Sequence, residues 1–394
     1  MRCKINSYRL NALDSKIIFL FSLWLLVDAL NGWCLRSNIN FPVSQLYKSL
    51  VCILVIIRCR NHKRTVSLVV LFFLYVILYS IILLCNNQNV GISLILCSKL
   101  ITSCIFYSYF LMLLENSNGR CLDNFNSIFK FNFIIFSVNI LLGLLGIGYN
   151  SYLDMGGVGH CGFFYAINEL SGVVIVLYPF VLHYLKINYN NKIFLLGGMF
   201  VIFISVVLST KSSIAVAILS LFYISYHYGS KNEKKIIMLL AALTIISVVA
   251  YIGTILSSDL MFFRRFSYFL KQEGIVGALT SGRLSHWQNA SNDFYASGIM
   301  TWVFGIGGNR TVEMDPYDAL LNMGIIGLFL LLIIYFKLIL YSCKCHDSSR
   351  YMYIVSNVLL VLISIFSGHI LFSSMAGMLI ALSFSILTFK RKAF

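Results

Sequence analysis

The sequence of 394 residues is short of charge and of proline. Only 11% of its residues are charged and 59% are hydrophobic, whereas roughly 25% of the residues in an ordinary soluble domain are charged. This composition excludes an ordinary soluble domain, because too few charged side chains are available to cover a surface in water. With three prolines in the whole chain, long helices can run without interruption.

Signals for metals and cofactors are also lacking. The eleven cysteines show no metal or redox spacing: Cys343-Lys-Cys345 has His346 beside it but no second pair of ligands. The glycine run 305–308 is too short and badly placed for a nucleotide-binding loop, and it reads as a turn. We therefore expect neither a metal ion nor a cofactor.

What the chain does contain is a series of apolar runs, each about as long as the roughly 20 residues with which a helix crosses the hydrocarbon core. The runs are continuous and do not alternate with period two, which indicates helices and not a barrel. The sequence therefore predicts an all-α polytopic membrane protein with about twelve transmembrane helices, in which residues 1–394 form a single integral membrane domain. The expected spans are 17–32, 42–58, 66–85, 92–114, 131–148, 166–185, 193–209, 212–228, 236–257, 319–341, 352–366 and 370–388.

Lysine and arginine collect in alternate loops, most clearly at Arg58–Arg64, Lys231–Lys235 and Lys390–Lys392. By the positive-inside rule both termini are cytoplasmic. The net charge of +16 is then a signal of topology, with added attraction to anionic membrane lipid, and it does not indicate a nucleic-acid partner. The basic start is similar to that of a signal peptide, but no small-x-small cleavage site follows, so we expect an uncleaved first helix.

One polar stretch, 258–318, interrupts the apolar sequence and holds eleven of the charged residues. Alternation of the spans puts this stretch on the outer face of the membrane as one long loop. The same alternation puts Asn168, Glu169, Lys211 and His369 on that face. A charged group near hydrocarbon costs about 2.5–3.5 kcal/mol on insertion scales, so such groups usually have a partner or a function.

Several of these residues also have an ordinary structural explanation. Lys211 suits a lysine that reaches the membrane surface from a turn, and Glu169 suits a charge favoured at a helix N-terminus. Arg264 and Arg265 suit anchors to lipid headgroups. His369 suits a satisfied polar residue at the start of a helix.

The order of the polar motifs is more specific than any one of them. In chain order the series is Asn168-Glu169, Thr210-Lys211-Ser212, Ser281-Gly282-Arg283, Phe304-Gly305-Ile306-Gly307, Glu313-Met-Asp315-Pro-Tyr-Asp318, Gly324-Ile-Ile-Gly327 and Gly368-His369. This series resembles the O-antigen and capsule polysaccharide polymerases of the Wzy type, within the wider O-antigen polymerase and ligase superfamily. The sharpest match is the Glu-x-Asp-x-x-Asp element followed by Gly-Ile-Ile-Gly.

The resemblance implies a glycosyltransferase of the bacterial inner membrane. Its substrate is a glycan linked to undecaprenyl pyrophosphate, which it transfers onto a lipid-linked repeat unit, and a separate chain-length regulator is its expected partner. In the superfamily's ligases a His-Asn pair stands eleven residues before the first glycine of the Gly-Ile-Ile-Gly element. This chain has Glu313 there, which favours a polymerase. An O-antigen ligase-type glycosyltransferase and a lipid-linked oligosaccharide flippase or transporter remain the alternatives.

The resemblance also implies roles for the charged residues. A lipid pyrophosphate that leaves with negative charge calls for arginines, which bind phosphate bidentately. The acceptor hydroxyl calls for a general base, for which Glu313 is the first candidate and His369 the alternative. Asp315 and Asp318 are expected to orient that base or to hydrogen-bond the acceptor sugars. The expected pyrophosphate- or glycan-binding residues are Arg283, Arg265, Arg264, Arg310, Lys211, Glu169 and Asn168.

Glu313-x-Asp315 also resembles a metal-binding pair of carboxylates. That chemistry suits sugar-nucleotide donors, which are cytoplasmic, whereas these carboxylates are expected to face outward. We therefore expect no essential metal at the site. The aromatic residues Tyr268, Trp287 and Tyr317 suit either the faces of sugars or the interfacial aromatic belt.

Overall fold

The computed structural model describes residues 10–85, 90–152, 158–231, 234–235, 261–307, 311–366 and 368–393. Almost all of this chain is α-helical. The helices are α1 (Ala12–Ser22), α2 (Trp24–Arg36), α3 (Val43–Arg58), α4 (Lys63–Cys85), α5 (Val90–Ser117), α6 (Leu122–Leu144), α7 (Ile167–Asn188), α8 (Asn191–Leu208), α9 (Lys211–Tyr228), α10 (Met261–Thr280), α11 (Arg283–Ala296), α12 (Ile299–Phe304), α13 (Asp315–Cys343), α14 (Arg350–Phe366) and α15 (Gly377–Ala393). Two short strands, β1 (Tyr149–Tyr152) and β2 (Val158–Gly162), lie between α6 and α7.

Six of the described helices are long and apolar enough to cross a membrane: α4, α5, α6, α7, α8 and α13. A seventh span is obtained if α1 and α2, which meet at an angle of 49°, are counted as one bent span. The described chain is therefore mostly α-helical, with six or seven candidate membrane-spanning helices, which is consistent with the all-α membrane protein that the composition predicts. The number twelve stays a prediction.

The other expected spans correspond to shorter or less apolar helices. The span 42–58 is α3, whose 16 residues cover about 24 Å, less than the roughly 30 Å of a hydrocarbon core. The span 212–228 is α9, and 352–366 is α14, an apolar helix of 17 residues. The span 370–388 begins later than expected, because its first residues are not helical and α15 starts only at Gly377. The span 236–257 lies outside the described residues.

Two local features differ from the expectation. The strands β1 and β2 form an antiparallel hairpin in a chain predicted to be all-α. The stretch 258–318 was expected to be one long loop, whereas its described part contains the three helices α10, α11 and α12. Glycines with positive φ stand at two of their ends: Gly282, with φ +80°, lies between α10 and α11, and Gly305, with φ +97°, follows α12.

The tenth expected span also begins differently. The sequence places it at 319–341, opened by the Gly-Ile-Ile-Gly element, but α13 starts at Asp315 with a proline in its first turn. Gly324 interrupts that helix with φ +64°, and a Cβ atom there would lie 2.3 Å from the carbonyl oxygen of Val303. The glycine is required because α12 approaches the backbone of α13 at this point.

The turn between α8 and α9 shows how the local sequence positions a charged residue. Ser209 ends α8 in the left-handed conformation with φ +58°. Thr210 then caps α9, since its Oγ1 accepts from the backbone nitrogen of Ser213 at 3.3 Å. Lys211 is consequently the first residue of α9, at the same end of the molecule as the start of α7.

Aromatic side chains fill the core between the first helices and α5. Phe21 lies with its ring centroid 5.0 Å from that of Phe106 and 4.9 Å from that of Phe110. On α4, by contrast, large apolar side chains such as Phe73 and Leu74 are more than half exposed. Such an apolar outer surface is typical of a helix that faces lipid tails.

Candidate functional site

One cluster of polar residues brings together segments that are far apart in the sequence. Side-chain contacts link the N-terminal turns of α7, α9 and α11, the start of α13, and the non-helical segment 368–376 between α14 and α15. The backbone N–H groups and the dipole of a helix N-terminus both favour negative charge, so four such ends favour an anion at the cluster.

Arg283 and Glu313 form the central contact of this cluster. Arg283 is the first residue of α11, and its Nε and Nη2 donate to Oε2 of Glu313 at 3.2 and 2.9 Å. Asn168, in the first turn of α7, donates from Nδ2 to the same oxygen at 3.0 Å. A cation, an amide and a carboxylate from three predicted motifs are thus in direct contact.

The backbone of Glu313 is held in a conformation that a non-glycine residue rarely adopts. Its φ of +60° lies in the left-handed region. The backbone nitrogen of Gly368 donates to the carbonyl oxygen of Glu313 at 2.8 Å, and Met314 forms a parallel bridge with Gly368. Such conformations persist only where the surroundings impose them, which is common at functional sites.

Asp318 holds the loop around Glu313 through hydrogen bonds to the backbone of that loop. Its side chain is fully buried, and its two oxygens accept from the backbone nitrogens of Val312 at 2.6 Å and of Met314 at 3.1 Å. These two residues lie on either side of Glu313. Asp318 therefore holds the backbone on both sides of Glu313, and its expected role in catalysis stays a prediction.

Asp315 holds the backbone of the segment 368–376 in the same way. It is also fully buried, and it accepts from the backbone nitrogens of Ile370, at 3.1 and 3.2 Å, and of Leu371, at 2.8 Å. These residues follow His369 directly in the chain. Asp315 thus positions the segment that carries the second candidate base.

His369 faces the carboxylates and is only 19% exposed. Its Nδ1 lies 3.1 Å from Oδ2 of Asp318, which is within ion-pair distance. Within the described part of the chain, the direction of this contact does not meet the criteria for a hydrogen bond. Burial lowers the pKa of His369, but the interaction with Asp318 and the charges of Asp315 and Glu313 outweigh burial and leave the pKa above its ordinary value. The site therefore favours the imidazolium form.

Glu169 holds the middle of the segment 368–376. Its Oε2 accepts from Oγ of Ser373 at 2.7 Å and from the backbone nitrogen of Met375 at 3.2 Å, and Lys99 on α5 lies 3.3 Å from Oε1. Glu169 is therefore more than a charge at a helix start. Its expected contact with glycan stays a prediction.

A second buried ion pair supports the same segment and was missed by the sequence reasoning. Lys48 lies 2.6 Å from Asp28 and donates to Oγ of Ser374 at 3.2 Å, and the indole nitrogen of Trp24 donates to the carbonyl oxygen of Ser374 at 3.1 Å. Lys48 and Lys99 stand inside apolar runs, where a charge needs a partner. The position of these two lysines within apolar runs was the sequence signal from which buried ion pairs could have been predicted.

Lys211 connects α9 to the turn that carries Arg283. Its Nζ donates to the carbonyl oxygen of Ala278 at 3.2 Å and to Oγ of Ser281 at 3.4 Å. The neighbouring Ser212 hydroxyl lies 2.6 Å from that of Ser171 on α7. The turn predicted from the sequence thus belongs to the cluster.

The remaining predicted residues are not placed at the cluster by any described contact. Arg264 and Arg265 belong to α10, and their binding role stays a prediction. Arg310 lies outside the described residues. The rings of Trp287 and Tyr317 pack against each other with centroids 4.5 Å apart, beside the cluster on α11 and α13.

The cluster combines donors for an anion with groups that accept a proton. Within the part of the chain that the structure describes, no group of three or more His, Cys, Asp and Glu side chains is arranged to hold a metal ion. No protein-family model matches the sequence, and comparisons with curated proteins and with solved structures find no significant similarity. What supports a function is therefore the geometry of the site together with the series of motifs.

Proposed function

We propose that this protein is a polysaccharide polymerase of the bacterial inner membrane, active in O-antigen or capsule synthesis. It transfers a glycan from undecaprenyl pyrophosphate onto a lipid-linked repeat unit at the outer face. The observation that carries this proposal is the ion pair of Arg283 with Glu313. Asn168 donates to the same carboxylate oxygen, and His369 is near enough for the Glu313 charge to affect its pKa. It joins a phosphate-binding cation to a candidate base, which are the two groups that such a transfer needs.

Arg283 is the first candidate for binding the donor. When the glycan leaves its carrier, the bond between the anomeric carbon and the pyrophosphate oxygen breaks and its electron pair stays on the pyrophosphate. A guanidinium group binds phosphate bidentately and stabilises charge that develops in the transition state. Lys211, at the neighbouring turn, assists, as do Arg264, Arg265 and Arg310 in the proposed assignment.

Glu313 is the first candidate for activating the acceptor. A sugar hydroxyl has a high pKa, and general-base assistance is typically worth about 10²–10⁴-fold in rate. The hydroxyl oxygen bonds to the anomeric carbon while its proton passes to the Glu313 carboxylate. Asp315 and Asp318 hold the backbone segments that carry Glu313 and His369. In its neutral form, which the neighbouring carboxylates disfavour, His369 is the alternative proton acceptor.

The proposed topology fits this chemistry. With twelve spans and both termini in the cytoplasm, the stretch 258–318 and the four helix ends lie on the outer face. Nucleotide sugars are cytoplasmic, so a donor at the outer face is lipid-linked. A separate chain-length regulator completes the proposed system.

Deletion of the gene tests the function directly. For a polymerase, the surface polysaccharide on a gel changes from a ladder to a single repeat unit, and lipid-linked single repeats accumulate on the outer leaflet. Polymer that forms but stays on its lipid carrier would instead indicate a ligase. Accumulation on the inner leaflet would indicate a flippase.

Substitution of the central pair tests the site. Arg283→Ala and Glu313→Ala are expected to abolish long chains while the protein remains in the membrane at a normal level. A matched control is the exposed pair of Arg64 and Glu115, 3.3 Å apart, whose alanine variants should keep the ladder. A normal ladder with Glu313→Ala would remove Glu313 as the base.

A further inference from the structure

The pair of Arg283 and Glu313 occupies the position that a phosphate on Arg283 would take. Both Nε and Nη2 of Arg283 donate to one carboxylate oxygen, at 3.2 and 2.9 Å. The fork of donors that binds a carboxylate in this way also binds phosphate. A phosphate therefore reaches both donors only after Glu313 has left them.

Of the two side chains in this ion pair, that of Glu313 is the less restrained. Arg283 is 14% exposed and is also held through Nη1 by the carbonyl oxygen of Thr280, at 3.3 Å. The side chain of Glu313 is 43% exposed. Its backbone is fixed through Gly368 and Asp318, so rotation of the side chain alone separates the pair.

We infer that Glu313 is a resident anion that the pyrophosphate of the donor displaces from Arg283. Displacement has two effects, because it places the leaving group on the guanidinium and releases the carboxylate to accept the proton of the acceptor hydroxyl. Binding of the donor thereby activates the base, as an exchange of one anion for another at a single arginine. This inference rests on the proposed function, since it assigns regulation to the same site.

The exchange predicts that removal of the Glu313 charge strengthens anion binding. The probe is inorganic pyrophosphate, titrated by calorimetry into the purified full-length protein in detergent. Glu313→Gln keeps the shape but removes the competing charge, and we expect a Kd about fivefold tighter, in line with the value of a partly exposed ion pair. The control Glu115→Gln makes the same chemical change in the ion pair with Arg64, outside the site, and it should change Kd by less than about twofold.

A double-mutant cycle shows whether the effect passes through Arg283. In the Arg283→Ala background, Glu313→Gln should bring no gain, because the shared donor is gone. Equal or weaker binding by Glu313→Gln, or a gain that persists without Arg283, would overturn the exchange. Size-exclusion profiles confirm that all four proteins remain folded.

The two proposals fail separately. A single-repeat product in the deletion strain, with no gain from Glu313→Gln, refutes the exchange and leaves the polymerase intact. A gain that depends on Arg283, with a normal ladder in the deletion strain, supports anion exchange at Arg283 and refutes the polymerase.

Discussion

Replacement of Asp318 by asparagine is expected to loosen the loop that carries Glu313. The fully buried Asp318 carboxylate accepts from the backbone nitrogens of Val312 at 2.6 Å and of Met314 at 3.1 Å. Asparagine offers one accepting oxygen and a donating amide group. One of the two backbone N–H groups then faces another donor, and His369 loses its ionic partner.

The size of this effect follows from the loss of one charge-assisted hydrogen bond in a buried place. Hydrogen bonds to charged groups contribute about 1.5–3 kcal/mol each, and a buried donor without an acceptor costs about 1–3 kcal/mol. We expect Asp318→Asn to lower the free energy of unfolding by about 2–4 kcal/mol. Native proteins have roughly 5–15 kcal/mol in total, so the variant should still fold.

Chemical unfolding of the purified protein in detergent measures the change, and the polysaccharide ladder measures its consequence for function. Asp123→Asn makes the same chemical change in the first turn of α6, away from the site, and should cost less than about 0.5 kcal/mol. Long chains should be lost with Asp318→Asn only. If Asp318→Asn unfolds like the wild type and keeps a normal ladder, Asp318 does not hold the site.

Three further predictions address other contacts. Lys99→Met removes the cation that lies 3.3 Å from Glu169, so we expect the free energy of unfolding to fall by about 1–2 kcal/mol. The double variant with Glu169→Gln should lose less stability than the sum of the two single variants. Because the pKa of His369 is raised in the folded protein, protonated His369 stabilises the fold fully below pH 6.5, and this contribution is lost as the pH rises through the folded value. The stability difference between wild type and His369→Gln should therefore shrink with rising pH, and a constant difference would contradict the raised pKa. Gly324→Ala puts a Cβ atom 2.3 Å from the carbonyl oxygen of Val303 at a φ of +64°, so the thermal midpoint should fall by several degrees, whereas an unchanged midpoint would show that α12 can move away.

The helices were the most predictable part of the fold, because continuous apolar runs decide both their existence and their approximate ends. Their exact starts were less predictable where backbone hydrogen bonds compete. Residues 370–376 are as apolar as a span, yet they stay non-helical because Asp315 and Glu169 bind their backbone nitrogens. The β-hairpin was missed because its strands of four and five residues carry little alternation.

The site was partly predictable for a different reason. Residues such as Glu313, Arg283 and Asn168 stood out because charge and amide groups are rare in this chain. Their contact was not predictable, since Asn168 and Glu313 are separated by 145 residues. Lys48 and Lys99 were not among the candidates, because their partners, Asp28 and Glu169, come from other helices.

The sequence by itself determined that the chain is a helical membrane protein, since the cost of charge in hydrocarbon leaves its mark on composition. It also determined which polar residues are candidates for chemistry. Only the tertiary structure decided which of them touch the solvent side of the site and which are buried supports. Asp315 and Asp318 lie two and five residues from Glu313, yet they bind backbone while Glu313 meets Arg283. Helix packing sets that division, because the burial of a side chain depends on what the rest of the chain places around it.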